Sequence, residues 1–153
     1  KSMKKLVLVF LLFCSFVNAQ SLVELRGYLQ KVENSEEVSK TLISKSKNAY
    51  DTTKKPIYMA FYAVGNFFMA KHASNPLNKY SYFNKGKKLL EDAIKKEPNN
   101  IEIRLMRLIS QEKTPSFLGY NKNIEADRNF IIKNYKNSDD ENLVKFIKNY
   151  LKI

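Results

Sequence analysis

The chain has 153 residues, 44% of them hydrophobic, enough to bury the core of one ordinary domain and too apolar for a disordered chain. Glycine and proline number four each, too few turn formers for an all-β protein. One cysteine and one histidine exclude an intrachain disulfide, a cysteine zinc site and a multi-histidine metal site. No metal or other cofactor is therefore expected. Twenty-seven lysines and arginines against 15 acids give a net charge of +12. Only four of the basic residues are arginine, the better reader of phosphates and bases, and the lysines are scattered rather than massed. The charge reads as a solvated surface with weak affinity for anionic lipid or polysaccharide, and no nucleic-acid partner is expected.

Lys4 and Lys5 precede an unbroken apolar run from Leu6 to Phe13, and Val17-Asn18-Ala19 places modest side chains at the −3 and −1 positions of a signal-peptidase site. That order predicts a cleaved secretory signal over residues 1–19, cut between Ala19 and Gln20. The apolar stretch Leu6 to Val17 falls short of the roughly 20 residues of a membrane span. Phe13 before Cys14 is bulky where a lipoprotein signal takes a small residue. Cleavage removes three lysines and the cysteine, leaving residues 20–153 with 24 basic residues against 15 acids, a net charge of +9. The expectation is a single exported domain, periplasmic or extracellular, with no transmembrane span in the mature form.

The mature chain reads as helices throughout. Leu22, Leu25, Leu29 and Val32 mark one face of a first helix over 21–34, with Glu24, Arg26 and Lys31 turned outward. Asn34-x-x-Glu37 resembles a capping box opening a second, half-exposed helix to about Tyr50. Pro56 suits the first turn of a third helix, residues 57–73, apolar nearly all round and therefore central. Ala60, Ala63, Gly65 and Ala70 permit close packing against it. His72 to Pro76 closes it, and a fourth helix runs from about Lys79 to Lys96 with Phe83, Gly86, Leu90 and Ala93 inward. Asn100 caps a fifth helix to about Gln111, and Pro115 to Tyr120 forms a loop carrying apolar Phe117, Leu118 and Tyr120. A sixth helix opens at Asn121 or Asn123 and ends at Tyr135, and Ser138-Asp139-Asp140-Glu141 reads as a capping box for the seventh. Short loops between about seven helices predict an all-α array of antiparallel hairpins.

Gly86, Leu90, Ala93 and Pro98 carry the small, large, small and proline spacing of the second helix of a tetratricopeptide repeat, and Pro98-Asn99-Asn100-x-Glu102 resembles its junction. Over residues 79–107 the chain thus resembles a tetratricopeptide repeat, although the first-helix signature is absent. Residues 81–131 also resemble small exported bacterial proteins, a likeness that brings no activity with it. The repeat resemblance implies a helical scaffold whose concave face binds a peptide or protein partner.

Candidate binding residues are few. Lys71 and His72 end the apolar helix, where cations also simply complement the helix C-terminus. Arg104 and Arg107 share a helix face and suit an anion or carboxylate, or a structural ion pair with Glu125 or Asp127. Tyr62, with Tyr58, Tyr80 and Tyr82, lines a groove or fills the core. No catalytic residue is identified, for the chain has no nucleophile elbow, P-loop or dinucleotide fingerprint. The expectation is a non-catalytic binding scaffold. Its alternatives are a small-ligand or lipid binder using the 57–73 helix as a wall, and a hydrolase built on His72 with Arg104 and Arg107.

Overall fold

The structure, a computed structural model, describes residues 22–153; the expected signal segment and the expected cut between Ala19 and Gln20 lie outside the described residues. Seven α-helices follow one another: α1 (residues 22–29), α2 (Glu36–Thr53), α3 (Pro56–His72), α4 (Pro76–Lys96), α5 (Ile101–Lys113), α6 (Ile124–Asn134) and α7 (Glu141–Leu151). Short 3-10 turns occupy Val32–Asn34, Ser116–Leu118 and Tyr135–Asn137. No strand occurs among the described residues, and none of their helices is long and apolar enough to cross a membrane.

α3 is the hub. Every residue from Tyr58 to Met69 is buried, as a helix with apolar residues on all sides requires. α2 packs against it on one side and α4 on the other, and α5 reaches it as well. Two glycines set how closely these neighbours approach. A Cβ at Gly65 would stand 2.6 Å from Cγ1 of Ile43 on α2. A Cβ on Gly86 of α4 would stand 3.0 Å from both the Ala63 carbonyl oxygen and the Phe67 ring of α3. A backbone oxygen cannot move aside as a side chain can. Gly86→Val is therefore expected to destabilise the protein by about 1–3 kcal/mol in urea unfolding, outweighing the loss of glycine's helix penalty of about 1 kcal/mol.

The helix ends differ from the sequence reading for local reasons. Ser35, not Asn34, caps α2 by accepting from the Val38 N–H at 3.2 Å, while Asn34 closes the preceding 3-10 turn. α2 then continues past Tyr50 to Thr53, where Lys54 takes the left-handed conformation with φ 57°. Asn75 and Pro76 open α4 rather than closing α3. The Asn75 side chain accepts from Leu77 N–H at 2.8 Å, and Pro76 sits where its missing N–H is harmless. Asp140 rather than Ser138 caps α7, accepting from Leu143 N–H at 2.9 Å; Ser138 Oγ accepts from Asp140 N–H one step earlier. Asn100 caps α5 as its position predicts, with bonds of 3.0 and 3.1 Å from Glu102 and Ile103.

The largest departure is Arg26. It is 2% exposed rather than turned outward. Its Nε and Nη2 donate to the two oxygens of Glu102 on α5 at 2.6 and 2.9 Å, and Nη2 also donates to Asp140 at 2.8 Å. One guanidinium thus ties α1 to α5 and to the start of α7.

Candidate functional site

The arginine pair of α5 faces α6. Arg107 donates from Nε and Nη2 to the carboxylate of Asp127 at 2.7 and 2.9 Å, and Arg104 adds a contact of 3.3 Å. Asp127 is fully buried, whereas Glu125 is exposed. Arg107 also reaches Glu91 at 3.3 Å, and Glu91 accepts from the Tyr120 hydroxyl at 2.7 Å. Burial pushes the Tyr120 phenol well above its ordinary value, and the Glu91 carboxylate adds to the effect. These groups satisfy one another inside the fold. The pair forms no open anion seat.

His72 ends α3, and its Nε2 lies 2.8 Å from the carbonyl of Val32. A carbonyl only accepts, so that nitrogen carries the proton and the ring pins the 3-10 turn to α3. No polar contact joins His72 to Arg104 or Arg107. Tyr62 and Tyr58 are buried, with the Lys85 ammonium 5.1 Å from the Tyr62 ring. Of the four tyrosines expected together, Tyr80 alone lies on an open lip.

That lip belongs to a cleft of about 550 Å³, bounded by the C-terminal half of α3, the first turns of α4 and the segment after α5. Phe67 and Phe83 form its floor, packed edge to face at 5.8 Å. Tyr120 stacks on Phe67 from behind at 5.7 Å. The segment after α5 is shaped by three residues. Thr114 bonds back to the Ser110 carbonyl at 2.7 Å, Pro115 stops the helix, and Gly119 turns the chain with φ 67°. Phe117 is thereby held out at 85% exposure, and Tyr80, 62% exposed, lines the same cleft. Leu77, one turn before Tyr80, is 79% exposed. The sequence marked Phe117 and Leu118 only as apolar residues in a loop. Their placement between a proline and a glycine was the available signal.

Ser110 lines the cleft and is 1% exposed, and its Oγ is the one buried side-chain polar atom without a partner among the described residues. The rim carries charge of one sign. Lys71, Lys79 and Lys113 line it, and no carboxylate does. Lys79 Nζ donates to the carbonyls of Ala70 and Lys71 at 3.2 and 3.1 Å, closing the C-terminus of α3. Lys71 and Lys113 both reach Glu33, at 3.0 Å from Lys71 and 3.0 and 3.1 Å from Lys113. Lys113, and with it Lys71, holds the Glu33 carboxyl below the usual carboxylate range. Glu33 stands at the edge of a second cleft of about 410 Å³, which shares Phe68 and Lys113 with the first.

An apolar, aromatic-lipped cleft with a cationic rim can strip water from an apolar group and hold an anionic neighbour. Among the described residues no group of three or more histidine, cysteine, aspartate or glutamate side chains is placed to hold a metal ion. The class of protein this defines is an all-α helical protein with an apolar, aromatic-lipped cleft among its described residues. No protein-family model matches the chain, and no curated protein and no solved structure matches it.

Proposed function

We propose that this protein is an exported, non-catalytic helical scaffold that binds an apolar stretch of a peptide or protein partner in the cleft between α3, α4 and the segment after α5. The observation that carries the reading is the aromatic lip. Phe117 and Tyr80 stand largely in solvent beside a cavity already floored by Phe67 and Phe83. Exposed aromatics grouped round a desolvated pocket are the usual anchors of protein recognition. An array of antiparallel hairpins of tetratricopeptide-like character is in keeping with the successive packing of α2 on α3, α3 on α4, α4 on α5 and α5 on α6, and with buried Gly86 and Ala93 on α4. Export rests on the residue pattern of the first nineteen positions.

The hydrolase alternative has little support, because His72 is bonded to Val32 while Arg104 and Arg107 are bonded to Asp127. A small amphiphile remains the second reading. The cleft volume lies within the roughly 300–1,000 Å³ of small-molecule sites, and the unpartnered Ser110 hydroxyl offers one polar contact.

Selection of a displayed random-peptide library on the purified protein tests the proposal. Peptides with aromatic or aliphatic anchors are expected to be enriched. A Phe117→Ser/Tyr80→Ser double variant is expected to weaken them by about tenfold or more while the helical circular dichroism stays unchanged, since both side chains are exposed. No enrichment, accompanied by saturable binding of dodecanoate, would replace the peptide reading with the amphiphile.

A further inference from the structure

We infer that the cleft discriminates by charge, taking an apolar anchor flanked by carboxylates, so that its partner segment is acidic; this rests on the peptide reading above. Three lysines and no carboxylate line the cleft. The arrangement is local and built, not a sample of the general positive surface. Lys79 is held by two carbonyls of α3, which leaves one of its three N–H donors free and spares the entropy of ordering the side chain on binding. Lys71 and Lys113 are held by one carboxylate between them. Glu33, at the edge of the neighbouring cleft, shows that Lys71 and Lys113 together hold a carboxylate at hydrogen-bond distance from two ammoniums. Each lysine keeps further donors for a second one.

Glu33 has a second consequence. It partly neutralises Lys71 and Lys113, so it acts as an internal competitor for the partner's acid. Removing its charge should raise affinity for acidic segments and leave neutral ones unaffected. A role confined to stability would change both alike.

The probes are three fluorescein-labelled peptides with the same Leu-Phe-Phe-Leu centre, flanked on both sides by glutamate, glutamine or lysine. Fluorescence anisotropy against the purified protein at about 50 mM salt is expected to rank them acidic, neutral, basic. The acidic peptide should bind about tenfold tighter than the neutral one, and the gap should shrink as salt screens it. Lys79→Met/Lys113→Met is expected to abolish the ranking, with the acidic peptide binding no tighter than the neutral one. Glu33→Gln is expected to tighten the acidic peptide alone, by about threefold. Lys95→Gln/Lys96→Gln removes the same charge from exposed positions at the far end of α4 and should leave the ranking intact. Equal affinities for the three peptides, or a ranking lost equally in the Lys95/Lys96 variant, would overturn the inference while leaving the peptide reading standing. Failure of all three to bind would overturn both.

Discussion

Arg26→Met is expected to cost about 3–5 kcal/mol of folding free energy, read as a large fall in the urea midpoint. The loss comes less from the missing ion pair than from what stays behind. Glu102 is 5% exposed, and Arg26 supplies two of its bonds, at 2.6 and 2.9 Å. Without the guanidinium its carboxylate is buried and unpaired, and Asp140 and Asn142 lose their contacts as well. Arg26→Met/Glu102→Leu is expected to recover most of the loss, because replacing both members of a buried pair by apolar groups is often close to neutral. The single variant also carries a pH signature. Burial pushes the Glu102 carboxyl up even with Arg26 beside it, and the variant lacks that opposing pull. A carboxyl raised in the folded state above its unfolded value of about 4.3 weakens the fold when ionised, and the penalty is relieved as pH falls. The deficit of Arg26→Met relative to the native protein should shrink between neutral pH and about pH 5. A deficit that stays constant over the same range would mean that Glu102 stays ionised.

Arg26 also shows where sequence reading stops. A single cation beside the apolar positions Leu22, Leu25 and Leu29 looks solvent-facing by period alone. Its partners lie 76 and 114 residues away in sequence, and no local pattern announces them. What periodicity does carry is element type. α3 was legible as the central helix because its apolar residues run all round it, and α2 as an outer one because its apolar set is thin, Val38, Leu42, Ile43 and Ala49 among serines and lysines; Leu42 is its only large buried hydrophobic side chain. Cap identity was harder to read, since Asn34 and Ser35, or Ser138 and Asp140, are candidates within two positions of each other, and backbone angles decide between them. The cleft was hidden for a different reason. Its walls come from α3, α4, α5 and a loop, and its charge arises because Lys71, Lys79 and Lys113 meet only in the folded chain. Of the sequence candidates, Lys71 and Tyr80 reach the rim. Phe117 and Tyr80 were visible as apolar residues, but their exposure depends on the turn at Gly119 and on the lie of α4.

Asp127→Ala is expected to destabilise the protein by about 3–5 kcal/mol, and the matching Arg107→Leu variant by a similar amount. Asp127 is fully buried and takes both guanidinium donors of Arg107, which is itself 7% exposed. Removing either leaves the other charged and without its main partner. The Arg107→Leu/Asp127→Leu double variant should lose much less than the sum, giving a large coupling energy in the cycle. Arg104 differs in kind. Its Nε donates to the Pro98 carbonyl at 2.8 Å and its guanidinium lies 4.1 Å from the Phe130 ring centroid, with the side chain 20% exposed. Arg104→Ala should therefore cost only about 1 kcal/mol. The cycle also separates the two meanings first open to this arginine pair. An anion seat would lose ligand affinity on mutation and keep its stability. A structural tie loses stability, and the folded fraction keeps its preference for acidic over neutral peptides. The tie still bears on binding at one remove. Arg107 reaches Glu91, Glu91 holds the Tyr120 hydroxyl, and the Tyr120 ring supports Phe67 under the cleft. Loosening Asp127 should thus weaken the neutral and acidic peptides by the same factor, because the shape of the floor changes while the charge of the rim does not.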